Sequence, residues 1–116
     1  MTDITIWHNP RCSKSRATLH LLQANGIAPA QRKYLEEPPS ADEIKHALSA
    51  LGMTANELVR RGETVYKELN LSTASSEDAL ITAMTNNPIL IERPVVIAAN
   101  KAALGRPPEN VLSLLP

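Results

Sequence analysis

The feature that most constrains the fold is the passage of an apolar strand directly into a helix across a short loop containing a cysteine. The segment Ile4–Trp7 is rich in β-branched residues and is followed by His-Asn-Pro, which predicts that a strand ends there. A helix that begins near Ser13 carries leucines on one face and is predicted to end at Asn25 and Gly26. Cys12 therefore lies between the end of a strand and the start of a helix.

Further β segments complete a small sheet. Gln31–Leu35 is predicted as a second strand, so that the first helix joins two parallel strands in a βαβ unit. After Pro88, two apolar runs are joined by residues 99–101, which predicts a β-hairpin, and a final short helix with a proline-rich start follows. This order of elements predicts an α/β fold.

A helical insertion of about residues 40–87 is predicted between these two β regions. Its first two helices each start with a capping box, in which Ser or Thr is followed three residues later by Glu. Gly52 and Gly62 are predicted to end these two helices. The four predicted helices begin at or near Ser40, Thr54, Glu63 and Ser75. At 116 residues, the whole chain 1–116 is expected to be a single domain.

Composition argues against several classes of function. Twelve Lys and Arg residues balance twelve Asp and Glu residues, so the charge does not indicate a nucleic-acid-binding protein. No apolar run approaches the roughly 18 residues of a membrane span, and no signal peptide is recognisable, so we expect a cytoplasmic protein without a membrane partner. A single cysteine forms no internal disulfide and no cysteine-rich zinc site. Redox chemistry at Cys12 would therefore need a thiol from another molecule.

The position of Cys12 predicts a reactive thiolate. The first N–H groups of a helix have no partner within the helix, and together with the helix dipole they favour an anion and lower the pKa of a thiol. His8 can add positive charge or a hydrogen-bond donor, and the Ser15 hydroxyl can donate to the sulfur. Alternatively, Cys12 is a small buried residue at the helix start, since free cysteines are often inert, and His8 bonds only to backbone.

Three arginines outside the cysteine loop are candidate oxyanion ligands because each falls at a predicted element end. A helix N-terminus that stabilises a thiolate also binds oxyanions, and guanidinium groups bind oxyanions in a bidentate manner. The three residues are Arg60, Arg93 and Arg106. Pro94 opens a strand, and a cis peptide bond there could turn Arg93 toward the site. Each arginine is alternatively a solvated surface residue, and Arg61 competes with its neighbour Arg60.

Five segments, in this order and over nearly the whole chain, resemble the glutaredoxin-dependent arsenate reductase family, the ArsC-type branch of the thioredoxin superfamily. The segments are ITIWHNPRCSKSRATLHLL, YLEEPPSADEI, ELVRRGETVYKELNL, NPILIERPVVI and GRPPENVL. The resemblance implies a thioredoxin-like fold with a helical insertion between the N-terminal βαβ unit and the C-terminal β-hairpin plus helix. That architecture agrees with the element order read from the residues.

The resemblance also implies the roles of individual residues. Cys12 would be the nucleophile, His8 and Ser15 would support its thiolate, and Pro94 would occupy the cis-proline position. The residues that would bind arsenate are Arg60, Arg93 and Arg106. Glutathione would be the co-substrate and glutaredoxin would resolve the mixed disulfide, without a metal or a tightly bound organic cofactor.

The same residues bear on three alternative functions. Arsenate reductases built like low-molecular-weight tyrosine phosphatases use a Cys-x5-Arg loop and internal resolving cysteines, whereas here Thr18 stands six positions after Cys12. Spx-like RNA polymerase-binding regulators share the fold but commonly carry a CxxC switch, and Ser15 replaces its second cysteine. A thiol oxidoreductase of this family with a different glutathione-linked substrate stays open, because a fold does not determine a substrate.

Overall fold

The computed structural model describes residues 3–115. The chain divides into two compact units. One comprises the described residues up to Glu37 together with those from Arg93 onward, and the other is Pro38–Glu92. The second unit includes the predicted insertion of about 40–87, while the expectation that 1–116 is a single domain stays a prediction.

The first unit is built on a four-stranded sheet with the order β2-β1-β3-β4. Strand β1 (Ile4–Trp7) pairs in parallel with β2 (Ala30–Arg32), and helix α1 (Ser13–Ala24) connects them. On its other side β1 pairs antiparallel with β3 (Val95–Ala98), which forms a hairpin with β4 (Lys101–Leu104). The structure thus confirms the predicted βαβ unit and C-terminal hairpin.

One face of this sheet carries the hydrophobic core of the first unit. Alternate residues of β1 and β3 point to that face, as the two-residue period of a strand requires. They pack against leucines of α1 and against apolar side chains of a C-terminal 3₁₀ helix, Pro108–Leu114. The core residues are Ile4, Ile6, Leu19, Leu22, Val96, Ala98, Val111 and Leu114.

The second unit consists mainly of short helices. They are α2 (Ala41–Leu51), α3 (Ala55–Leu58), α4 (Thr64–Glu68), α5 (Glu77–Asn86) and a 3₁₀ helix at Pro88–Leu90. Helix α5 packs against α2, α3 and the 3₁₀ helix. Over the described part of the chain, no helix is both long and apolar enough to cross a membrane.

Both predicted capping boxes are confirmed. Before α2, the Ser40 hydroxyl accepts the Glu43 N–H at 3.2 Å, and the Glu43 carboxylate accepts the Ser40 N–H at 2.9 Å. Thr54 and Glu57 form the same pair of bonds before α3, at 3.3 and 2.9 Å. These bonds satisfy backbone donors that a helix start leaves unpaired. Gly52 ends α2 in the left-handed conformation with φ of 68°, as predicted.

The second strand is shorter than the predicted Gln31–Leu35. It ends at Arg32 because the chain turns at the next residue. The carbonyl of Lys33 accepts the N–H groups of Glu36 and Glu37 at 2.9 and 2.8 Å, and these local bonds replace further strand pairing.

Gly62 was predicted to end the second helix of the insertion, which is α3, and this prediction is wrong. Helix α3 stops at Leu58, because Val59 is extended and forms an antiparallel bridge with Ile91. The Leu58 carbonyl accepts the Glu92 N–H at 3.0 Å in that bridge. A contact with a segment more than thirty positions away therefore overrides the local helical pattern.

Gly105 is packed closely between two other segments of the first unit. Its N–H donates to the Pro94 carbonyl at 3.0 Å, and Thr18 Oγ1 of α1 lies 3.4 Å from the Gly105 carbonyl oxygen. A β-carbon on Gly105 would overlap the Thr18 side chain and lie 2.8 Å from Pro94 Cγ. Only glycine fits here without moving α1 or Pro94.

We expect Gly105→Ala to destabilise the protein by about 1–3 kcal/mol, the usual cost of overpacking a tightly packed position. Gly62→Ala is the matched control, because a β-carbon at Gly62 meets nothing within 4 Å. Urea unfolding of the two variants and the parent measures the difference. Equal free energies of unfolding for the two variants would contradict the close packing.

Candidate active site

Cys12 is the N-cap residue of α1, where its backbone is extended with φ of −98° and ψ of 123°. Its N–H donates to the Asn9 carbonyl at 3.0 Å, and its own carbonyl accepts the Arg16 N–H at 3.0 Å. The residue is partly exposed. The thiol thus lies at the helix start, as the sequence predicts, and is open to reagents.

The pKa of the Cys12 thiol is lowered from its ordinary value. Burial raises the pKa, but hydrogen bonds from the backbone N–H groups of Ser15 and Lys14, the positive charge of Arg93 and a hydrogen bond from the Arg93 side chain together outweigh burial. The balance favours the thiolate. It argues against the alternative interpretation of Cys12 as an inert buried residue.

Ser15 connects the thiolate to His8 through two different groups. Its backbone N–H lowers the pKa of Cys12, whereas its hydroxyl oxygen lies 2.7 Å from His8 Nδ1 and accepts the Asn9 N–H at 3.0 Å. Because that oxygen already accepts from Asn9, its own hydrogen can be donated to Nδ1. The hydroxyl, which was predicted to donate to the sulfur, instead lies against His8.

His8 is buried and its pKa is lowered. The main cause is burial, to which the nearby charges of Lys33, Arg16 and His20 add. The neutral imidazole is therefore favoured, and it can accept the Ser15 hydroxyl hydrogen. His8 is thus placed to hold Ser15 in position rather than to supply a positive charge to the thiolate.

Arg93 is a predicted site residue whose guanidinium group acts directly on Cys12. The Arg93–Pro94 peptide bond is cis, as the resemblance implied. Nε and Nη1 of Arg93 are shielded from solvent, and the guanidinium group lowers the pKa of Cys12 by its charge and by hydrogen bonding. A positive charge therefore lies where an oxyanion bound next to the sulfur would need it.

Arg106 lies on the segment that is hydrogen-bonded to the one containing Arg93. It directly follows Gly105, whose N–H donates to the Pro94 carbonyl, and its side chain is exposed. The Arg106–Pro107 peptide bond is also cis, a feature that was not predicted from the sequence. The carbonyl of Arg106 accepts from Asn110 Nδ2 at 3.1 Å.

Arg60 belongs to the second unit and is half-buried there. Its Nη1 lies 3.1 Å from a Glu63 carboxylate oxygen, and its Nε lies 3.8 Å from one of Glu92. The neighbouring Arg61 is exposed, and its Nη2 donates to the Asn56 carbonyl at 3.1 Å. The two side chains thus have distinct surroundings, and a role for either in binding a substrate at Cys12 stays a prediction.

Asn9 was not predicted as part of the site, whereas the Lys14 N–H is one of the helix-start donors that were predicted. The Asn9 side-chain oxygen accepts the Arg11 N–H at 3.0 Å, which shapes the loop before Cys12. The sequence does contain a signal for this contact, because an Asn side chain in a loop commonly bonds to the backbone two residues further on. Among residues 3–115, no group of three His, Cys, Asp or Glu side chains could hold a metal ion.

Comparison with known proteins places this geometry in a family. The ArsC family model matches residues 7–114. The uncharacterized protein YfgD of Escherichia coli K12 is 54% identical, with 97% of each chain covered. The arsenate reductase of Neisseria meningitidis serogroup A is 47% identical over 99% of this chain and 100% of that protein.

The solved structure of an arsenate reductase from Vibrio cholerae superposes with a TM-score of 0.94, at 49% identity and 98% coverage of each chain. Its similarity extends over the sheet, the cysteine loop and the helical insertion, because almost the whole of both chains is aligned. The chain therefore belongs to the ArsC family and has the thioredoxin-like fold with a helical insertion.

Proposed function

We propose that this protein is an arsenate reductase that uses the Cys12 thiolate as its nucleophile. The observation that carries the proposal is the lowered pKa of Cys12 beside the Arg93 guanidinium group. Relatives and a structural neighbour that are named arsenate reductases support arsenate as the substrate.

In the first step, the Cys12 thiolate attacks the arsenic atom of arsenate. A sulfur–arsenic bond forms, an arsenic–oxygen bond breaks, and the oxygen leaves as hydroxide or, once protonated, as water. The arginines that would bind the remaining oxygens are Arg60, Arg93 and Arg106. After the bond forms, the sulfur is no longer charged, so the N–H groups of Ser15 and Lys14 can stabilise the arsenate oxygens instead.

In the second step, a glutathione thiolate attacks the Cys12 sulfur. A disulfide bond forms, the sulfur–arsenic bond breaks, and its electron pair stays on arsenic, which leaves as arsenite. The result is a mixed disulfide between Cys12 and glutathione. A glutaredoxin thiolate then attacks the glutathione sulfur and releases Cys12. Because Cys12 is the single cysteine of this sequence, both thiols come from other molecules. We propose the cytoplasm as the location, since that compartment keeps such thiols reduced.

Replacing Cys12 with Ser should abolish arsenate reduction, because a hydroxyl neither ionises at neutral pH nor forms the mixed disulfide. The measurement is arsenate-dependent NADPH oxidation in an assay coupled through glutathione, glutaredoxin and glutathione reductase. Turnover by Cys12→Ser close to that of the parent would exclude Cys12 as the nucleophile. Absence of turnover in the parent, with Cys12 still reactive, would favour a different glutathione-linked substrate.

The rate of Cys12 alkylation by the neutral reagent iodoacetamide should follow a pKa below that of an ordinary cysteine. Arg93→Ala should raise that pKa, because it removes a positive charge and a hydrogen bond that favour the thiolate. Arg93→Lys keeps the charge and should shift the pKa less. If the alkylation profiles of the parent and Arg93→Ala coincided, Arg93 would not stabilise the thiolate.

Arg93→Ala and Arg106→Ala should each lower kcat/KM for arsenate by roughly 100-fold, the usual cost of losing one oxyanion ligand. Lys14→Ala removes a neighbouring positive charge but keeps the backbone N–H, so it should lower kcat/KM far less. Steady-state kinetics with saturating glutathione and glutaredoxin provide the comparison. Similar losses in all three variants would indicate general electrostatic attraction instead of specific binding.

A further inference from the structure

A cavity of about 300 Å³ adjoins the cysteine loop, and the arsenate chemistry above leaves it unused. One wall is formed by residues 8–11, which lead directly into Cys12. The other wall is formed by Lys33, Leu35 and Glu36, which follow β2. Its volume lies at the lower end of the range for small-molecule sites, roughly 300–1,000 Å³.

Backbone hydrogen bonds hold the two walls in place. The His8 N–H donates to the Arg32 carbonyl at 2.7 Å, which extends the pairing of the two parallel strands to the cavity. On one wall, the Arg11 N–H bonds to the Asn9 side chain, and on the other, the Glu36 N–H bonds to the Lys33 carbonyl. The backbone of the cavity is therefore formed before any ligand binds.

The charges in the cavity have a defined pattern. Arg11 and Lys33 contribute two positive charges and Glu36 contributes one negative charge, while the lowered pKa of His8 keeps the imidazole neutral. The side chains of Arg11, Lys33 and Glu36 are all exposed, so a ligand can reach them. Leu35, 40% exposed, adds an apolar contact.

We propose that this cavity binds glutathione, with Arg11 and Lys33 binding its two carboxylates and Glu36 binding its ammonium group. The charge pattern of the tripeptide, two carboxylates and one ammonium, is the complement of the pattern in the cavity. Residues 8–11 lead directly into Cys12, so the proposal directs the thiol of the bound glutathione toward the Cys12 sulfur. The choice of glutathione rests on the proposed function, and the cavity adds a binding site for it.

Glutathione disulfide tests the cavity without arsenate. The Cys12 thiolate attacks one sulfur of the disulfide, a Cys12–glutathione disulfide forms, and one glutathione thiolate leaves. Bis(2-hydroxyethyl) disulfide undergoes the same exchange but carries no charge. Rates for both reagents are measured by mass spectrometry of the modified protein, and their ratio isolates recognition of the tripeptide from the reactivity of the thiolate.

Arg11→Ala and Lys33→Ala should each lower the ratio of the glutathione disulfide rate to the neutral disulfide rate by roughly tenfold, the usual effect of losing a charge-assisted hydrogen bond. Arg11→Lys should restore part of the ratio, and Glu36→Gln should lower it less. Lys101→Ala, which removes an exposed charge on β4 away from the cavity, should leave the ratio at the parent value.

An unchanged ratio in Arg11→Ala and Lys33→Ala would overturn the proposal. The proposal would also be overturned if the rates with both disulfides fell by the same factor, or if the ratio fell equally in Lys101→Ala. Neither effect would depend on the cavity. In the arsenate assay, Arg11→Ala and Lys33→Ala should raise KM for glutathione and leave KM for arsenate unchanged. If the parent reduced no arsenate, the proposed function would fail, while the disulfide ratio would still decide whether the cavity binds glutathione.

Discussion

The stabilisation of the Cys12 thiolate is the interaction on which the site depends. Burial of the sulfur opposes ionisation, and the Ser15 and Lys14 N–H groups together with Arg93 more than compensate. These donors come from two places in the chain, the start of α1 and the residue before the Arg93–Pro94 bond. The thiolate therefore requires that tertiary structure bring a late segment of the chain to an early loop, which helix formation alone cannot do.

Sheet register brings those segments together. Trp7, the last residue of β1, pairs with Val95, the first residue of β3, so the cysteine loop and Arg93 emerge at the same edge of the sheet. Val95 also pairs with Leu104, the last residue of β4, which brings the Gly105 segment and Arg106 to that edge. A shift of one residue in either pairing would turn the side chains of a strand to the opposite face, and the core therefore holds this register.

Most local features were predictable from sequence, and features that depend on distant contacts were not. The first strand, the first helix and both capping boxes follow from patterns within a few residues, and each was confirmed. The early end of α3 depends on the Val59–Ile91 bridge, which no local pattern reveals. The early end of β2 is a local feature that the extended pattern hid, because a turn at Lys33 replaces strand pairing. At the site, the position of Cys12 was predictable from the strand–helix boundary. The sequence does not show that the Ser15 backbone N–H lowers the pKa of Cys12 while the Ser15 hydroxyl lies against His8.

The opposition between burial and hydrogen bonding at Cys12 also bears on the later steps of the proposed cycle. A thiolate that is stabilised too strongly loses nucleophilicity, whereas a lowered pKa makes the same sulfur a better leaving group. Burial offsets part of the stabilisation by Ser15 and Arg93, which preserves nucleophilicity toward arsenic. When an external thiolate later attacks the glutathione sulfur of the mixed disulfide, the donors that lower the Cys12 pKa favour its departure. One set of contacts can therefore support both attack and release, which a site with a single cysteine needs because no second thiol in this sequence can resolve the disulfide.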